Sequence, residues 1–498
     1  MKDALLPFVV VLPLACAFLN SLIGRKVRRF SDIIAVLSTF ILALASVKSV
    51  LMVQSESVMV YKVGGWAPPF GISLVLDGLS SFMLFTVNLV SFFICLFSIN
   101  YMEKFTAKWK FYTLFLLMLA GMNGVVITGD LFNLFVFLEI ASVASYALVA
   151  FGTESQELEA SFKYTIMSSV ASAFILMAIA FIYSHVSTLN MADIAATLGG
   201  GIDKVVIFVS ILFIMGFGLK SAIVPFHPWL PDAHPAAPAP ISAALSGVLI
   251  KALGVYSLFR ILYNVFGLGA FYSQIFLFLG VLSMIIGVLL AVGQWDFKRL
   301  LAYHSISQIG YIILGLGLNT PLGIVGGLFH LFNHSVFKSL LFLNSGAVEY
   351  ATGTRDLREM GGLRDRMPLT SGTSLVASMS ISGIPPFNGF FSKLIIIFAC
   401  IQANYIGYAF WAVVGSILTL ASFMKIQKYA FFGSLNEKYN AIKEVPCVMR
   451  VAMLLLAVIC ILSALAVFPQ ISRLFLEPAR DVLMQGVGYA RVIHDALL

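Results

Sequence analysis

Five ionisable side chains stand inside apolar runs of this sequence. Glu139 lies in Leu131-Phe132-Asn133-Leu134-Phe135-Val136-Phe137-Leu138-Glu139-Ile140, and Lys220, Lys251, Lys338 and Lys393 occupy four later runs. A charge near the centre of a bilayer costs about 2.5–3.5 kcal/mol on insertion scales, and such residues mark ion or proton pathways by default. Lysine suits proton handling, because desolvation lowers the pKa of a buried amine and a neighbouring carboxylate raises it again. If Glu139 approaches Lys220, a small movement of the carboxylate switches the lysine between holding and releasing a proton. Arginine does not deprotonate in proteins, and no arginine is expected mid-span. The competing reading is a static buried pair that fixes helix packing. Three further lysines without a mid-span carboxylate are hard to reconcile with it.

His330, His334 and Lys338 recur at intervals of four, so they share one helix face, and histidine titrates near neutrality. A zinc pair is the alternative, but no Glu follows His330 and no third ligand is evident, so no metal is expected. His227 and His234 fall in a proline-rich segment, either as relay groups or as polar groups that satisfy a broken helix. His304, with Tyr303, Ser305, Ser307 and Gln308, either extends a hydrated path or belongs to a polar span mouth. Asp77 and Asp130 read as solvated carboxylates at span ends. Sodium needs several oxygen ligands, whereas an ammonium group cannot coordinate a cation, so the line of lysines reads as a proton path.

The elements that must position these residues are membrane spans. The chain has 498 residues, 60% hydrophobic and 11% charged, against roughly 25% charged residues in soluble domains. It is expected to be an all-α polytopic membrane protein with no soluble catalytic domain. The net charge of +8 resides in short loops between spans, where it reports topology and not nucleic-acid binding. The five cysteines form no C-x-x-C pair, so any redox cofactor is expected in a partner.

About fourteen spans are expected, at 4–23, 32–53, 79–99, 111–128, 131–151, 162–184, 205–222, 241–262, 272–293, 300–317, 323–348, 371–402, 406–424 and 450–469. The first, followed by Gly24-Arg25-Lys26-Val27-Arg28-Arg29, reads as a retained start-transfer helix. With that count, 19 Lys and Arg fall in loops on one side, among them Lys298, and eight on the other, including Lys2 and Arg260. The positive-inside rule then puts both termini outside the cell membrane. Spans 7 and 12 look broken, at Val224–Pro235 and at Ser382–Gly389, where prolines free carbonyls that need protein or water partners. Breaks five spans apart suit two inverted five-helix repeats, 111–262 and 272–424, between a three-helix segment (1–110) and a last helix with its tail (450–498).

Four segments, Gly129–Glu139, Pro228–His234, Leu245–Lys251 and Gly383–Lys393, occur in order along the chain. Together with Tyr303-His304-Ser305 and His330 to Lys338, they resemble the antiporter-like subunits of respiratory complex I and its relatives. The likeness is greatest to the D-type subunits of Mrp cation/proton antiporters and their counterparts in membrane-bound hydrogenases. The resemblance implies a Glu–Lys pair at Glu139 and Lys220, a central lysine at Lys251 and an exit-side lysine at Lys393. It also implies partners: other antiporter-like and small membrane subunits, and a peripheral redox arm where iron–sulfur clusters or flavin would reside. Lysine at 393 departs from one complex I subunit that carries Glu there, and the short stretch after the last span leaves no room for that complex's long lateral helix. The leading expectation is a proton-translocating subunit on the axis Glu139, Lys220, Lys251, Lys338, Lys393. The alternatives are a stand-alone secondary transporter and a structural anchor for a redox arm.

Overall fold

The computed structural model describes residues 4–27, 29–267 and 269–497, so Lys2 and Arg28 of the charge tally lie outside it. Among the described residues there are twenty α-helices: α1 (Leu5–Ile23), α2 (Phe30–Ser55), α3 (Gly78–Tyr101), α4 (Lys108–Ile127), α5 (Leu131–Val149), α6 (Ser155–Val186), α7 (Met191–Leu198), α8 (Lys204–Ser221), α9 (Leu230–Ala236), α10 (Ala239–Val265), α11 (Ser273–Val292), α12 (Phe297–Gly317), α13 (Pro321–Thr352), α14 (Pro368–Ser382), α15 (Asn388–Gln402), α16 (Ile406–Ile426), α17 (Cys447–Leu462), α18 (Pro469–Phe475), α19 (Glu477–Met484) and α20 (Tyr489–Leu497). Twelve helical segments are long and apolar enough to cross a membrane. The protein is therefore an all-α, multi-pass membrane protein. One small departure is an antiparallel hairpin of β1 (Met59–Lys62) and β2 (Ser73–Leu76), which the apolar periodicity does not reveal.

Helix starts follow local chemistry. Asp77, Asp130, Asp203, Asp296 and Thr320 each accept a backbone N–H of the first turn of the helix that follows, satisfying donors that a helix start leaves unpaired. Pro321 fits the first position of α13, where its missing N–H costs nothing. At the centre of the bundle lies α10, buried along its whole length, with π-helical turns over Leu245–Tyr256 and Arg260–Val265. Two glycines let it approach its neighbours. A Cβ on Gly254 would meet Ser221 Oγ of α8 at 2.1 Å, and one on Gly247 would meet Ser339 Oγ of α13 at 2.0 Å. Beside it, α13 is buried from residue 326 to 348 and packs on α3, α10, α12, α14, α15 and α17.

Four expectations are corrected. Asp77 is not a solvated end group, and Arg260 is not in a loop. Both are buried, with Arg260 Nη1 and Nη2 each 2.8 Å from a carboxylate oxygen of Asp77. The sequence places Arg260 at the end of a span, but the π-helical turns and the returning tail enclose it: Tyr489 of α20 lies 5.1 Å from the guanidinium, and Asn264 donates to Val482 O at 2.6 Å. Asp130 is likewise buried, because it caps α5, and burial pushes its carboxyl above the usual carboxylate range. Lys298, counted as a loop charge, is buried and paired with Glu349 at 2.9 Å.

Removing one partner of a buried pair leaves a lone buried charge, which costs about 3–5 kcal/mol, whereas an apolar pair of similar size is far milder. Asp77→Ala should therefore lower the thermal midpoint of the detergent-purified protein sharply, and the double change Asp77→Leu with Arg260→Met should recover most of the loss. Thermal melts of the three proteins check this.

Candidate functional site

Two broken helices frame the site. After α8 the chain turns at Ser221–Trp229 before α9, and the break is pinned by Trp229 Nε1 donating to Leu219 O (3.0 Å) and by Val224 N donating to Ser283 Oγ (3.0 Å). The Trp229 ring stacks on Tyr164 of α6 at 4.4 Å. The second break, between α14 and α15, turns at Gly383 with φ +76°, a left-handed conformation that favours glycine. Asn333 of α13 clamps it, donating to Asn388 O (3.0 Å) and accepting from Asn388 Nδ2 (3.1 Å).

The structure brings Glu139 and Lys220 to 3.7 Å. Glu139 is only half-buried on α5, whereas Lys220, at the end of α8, is buried. Serines mediate the contact. Ser172 donates to Glu139 Oε1 at 2.5 Å, and Lys220 Nζ donates to Ser168 Oγ at 2.5 Å and Ser142 Oγ at 3.0 Å. Sequence reasoning does not select these serines, although Ser142 follows Glu139 by three residues and Ser168 and Ser172 are four apart, spacings that put each pair on one face.

The remaining lysines are fully or almost fully buried, and among the described residues none has a carboxylate within ion-pair distance. Each rests on oxygen dipoles instead. Lys251 donates to Ser246 O and, at 2.8 Å, to Gly247 O within the π-helical turn. Lys338 donates to Leu301 O of α12 at 2.5 Å. Lys393 donates to Ile381 O at 2.7 Å, a carbonyl at the broken end of α14, and to Ser416 Oγ at 3.3 Å. A cleft of about 230 Å³ lies beside Lys393, walled by α14, α15 and α16.

The histidines fall between these lysines. His330 bridges Gln308 (3.2 Å) and Ser392 (3.0 Å), its ring 5.4 Å from that of Tyr311, which in turn lies 4.7 Å from Lys393 Nζ. His334 stacks on His330 at 6.4 Å. Neither ring nitrogen of His334 or His234 has a hydrogen-bond partner among the described residues, although both side chains are fully buried. His234 lies 5.9 Å from the Phe342 ring, with Lys338 Nζ 5.6 Å from the same ring. His304 is not at a span mouth but fully buried along α12, with Nε2 2.8 Å from Ser422 Oγ. His227 is half-buried in the first break. Among the described residues no group of three His, Cys, Asp or Glu could hold a metal ion.

The fold and site together define a multi-pass membrane protein whose interior carries a line of ionisable groups held on oxygen dipoles. The family described as NADH:quinone oxidoreductase/Mrp antiporter matches residues 128–419, and the N-terminal segment of complex I chain 5 matches residues 66–112. The D-type component of a Na(+)/H(+) antiporter from Alkalihalophilus pseudofirmus is 37% identical over 434 residues, covering 85% of this chain and 87% of that one. The N-type component of the NADH-quinone oxidoreductase of Desulforudis audaxviator is 36% identical over 441 residues, covering 86% and 87%. Among solved structures, the Mrp complex of a Dietzia species contains a chain that superposes with TM-score 0.91 at 30% identity, covering 100% of this chain and 99% of that one. The archaeal membrane-bound sulfane sulfur reductase contains another, with TM-score 0.90 at 30% identity and coverage of 98% and 99%. The chain belongs to the NADH:quinone oxidoreductase/Mrp antiporter family, as an antiporter-like membrane subunit.

The second break leaves no room for a side chain where α15 begins. A Cβ on Gly389 would lie 1.8 Å from Ser380 O, whereas one on Gly372, in α14, would meet nothing within 4 Å. Overpacking of this kind costs about 1–3 kcal/mol or more. Gly389→Ala should lower both thermal midpoint and transport, while Gly372→Ala should leave both unchanged, as paired melts and flux assays would show.

Proposed function

We propose that this chain conducts protons across the membrane as one subunit of a larger complex, along Glu139, Lys220, Lys251, His334, Lys338, His330 and Lys393. His234 and His304 are side relays to this line. The observation that carries the reading is the contrast, along this line, between one half-buried carboxylate and four buried lysines. Only Lys220 has Glu139 beside it, and the others rest on carbonyl and hydroxyl oxygens that stabilise an ammonium without locking it in an ion pair. Such groups exchange protons with neighbours, and movement of Glu139 loads or unloads the first of them.

In this reading α13 and the α14–α15 pair also span the bilayer and bring the spans to fourteen. Helices α4–α10 and α11–α16 then form the two inverted repeats, both termini face outward, and the plasma membrane is the site of action. The partners are other antiporter-like and small membrane subunits, and Glu139, half-open on the outer face of α5, is placed to sense one. The Na(+)/H(+) antiporter relatives favour cation/proton antiport as the coupled process. The NADH-quinone oxidoreductase relative and the sulfur reductase neighbour support a second reading, in which redox chemistry in partner subunits, with their own iron–sulfur or flavin groups, drives the same path.

The whole complex, purified by a tag on this chain and reconstituted into liposomes, tests the reading. Lys220→Ala or Glu139→Gln should reduce proton translocation by about 10²-fold or more with subunit composition unchanged. Near-normal transport in either variant would contradict it.

A further inference from the structure

The face of the bundle that carries the basic loops holds a polar vestibule of about 960 Å³, between the ends of α3, α4, α6, α12 and α13. Its floor is formed by Glu349 near the C-terminal end of α13, Lys298 near the start of α12, and the turn Ala236–Pro238 after α9. Glu349 Oε2 lies 2.9 Å from Lys298 Nζ, and Arg355 Nε lies 3.8 Å from the other carboxylate oxygen. Lys104 and Tyr101 approach from α3 and the turn after it, and Glu157 faces the cavity from α6. Arg355 is shared with Asp296 (3.3 Å) and donates to Pro235 O (2.6 Å), so it braces the floor.

The two sides of the pair differ. The Glu349 side chain is 27% exposed toward the vestibule, that of Lys298 only 3%. Lys298 Nζ points inward and donates to Ala237 O (3.2 Å). The same carbonyl accepts from Ser242 Oγ (3.1 Å), which also donates to His234 O (2.6 Å). The pair and the turn Ala236–Pro238 thus form the wall between the open cavity and α9, which carries His234, whose buried ring nitrogens have no partner among the described residues.

We infer that Glu349 and Lys298 form the loading gate through which protons pass from this vestibule to His234 and Lys338. The inference rests on the proton-conducting reading above. A vestibule proton adds to the Glu349 carboxylate, which then no longer holds the Lys298 ammonium. Lys298 gives one N–H proton to a His234 ring nitrogen, and its neutral amine takes the proton from the Glu349 carboxyl. The carboxylate and the ammonium are restored, and one proton has moved inward. Arg355 is a positioning residue that keeps the floor closed meanwhile.

The reconstituted complex tests this with three variants. Glu349→Gln should assemble and translocate protons at least about tenfold more slowly, with a rate that no longer follows the pH of the compartment the vestibule faces. Glu349→Asp should restore both. A Glu349→Gln complex with wild-type rate and pH profile, beside an inactive Lys251→Ala complex, would overturn the gate and leave the path standing. Transport in Lys251→Ala would overturn the path itself. Should Glu349→Gln fail to assemble, Thr354→Cys in a Cys447→Ser background places a thiol in the vestibule wall. Full labelling with a membrane-impermeant cationic thiol reagent should then block transport, and unaffected transport would overturn the gate.

Discussion

An ammonium group taken from water into a protein interior must find oxygen, and that requirement shapes the centre of this molecule. Five lysines are buried; Lys298 is paired with Glu349 and Lys220 lies near Glu139, but among the described residues Lys251, Lys338 and Lys393 have no carboxylate within ion-pair distance. In a regular helix each backbone carbonyl already accepts one of the helix's own N–H groups, so irregular backbone and small hydroxyls are the readier acceptors, although Lys338 uses Leu301 O within α12. The structure supplies both. The π-helical turn of α10 holds Lys251, the broken end of α14 holds Lys393, and serines of α5 and α6 hold Lys220. For Lys251 and Lys393 the irregular backbone is therefore the solvation shell, and its conformational cost is set against the cost of an unsolvated charge.

Close helix approach makes this arrangement possible. Gly254 and Gly247 seat α10 against α8 and α13, which brings Lys251 between the elements carrying Lys220 and Lys338. The contrast with Arg260 is instructive. Arginine keeps its charge in proteins, and the one buried with α10 has a two-point carboxylate partner in Asp77, aromatic rings and a cap from the tail. The permanent charge is neutralised in place, whereas among the described residues three of the buried lysines, which can lose their charge, have no counter-ion. That partition is the feature on which the proposed proton-conducting role rests.

Much of this is legible in the sequence because charges inside apolar runs stand out against their background. Glu139 and the four lysines, the proline-marked breaks and the spacing of His330, His334 and Lys338 can all be read directly. Their contacts cannot, because carbonyl acceptors carry no residue signature and π-helical turns leave no hydrophobic period of their own. Ser142, Ser168 and Ser172 are common residues whose role emerges only when α5, α6 and α8 meet. Asp77, Arg260 and Lys298 mislead for the opposite reason: their positions at span ends suggest solvent, but the returning tail and the long α13 bury them. For His304 the sequence leaves a hydrated path and a span mouth open, because the expected span begins only a few residues before it, and the surrounding helices enclose that end as well.

The central claim is that the buried lysines give up their protons. The most direct test is Lys251→Arg in the reconstituted complex, because arginine keeps the charge and much of the hydrogen-bonding capacity but does not release a proton. Proton translocation should fall to the level of Lys251→Ala while the complex remains assembled. Retention of most of the wild-type rate by the arginine variant would show that a fixed positive charge suffices at this position, and would contradict the account.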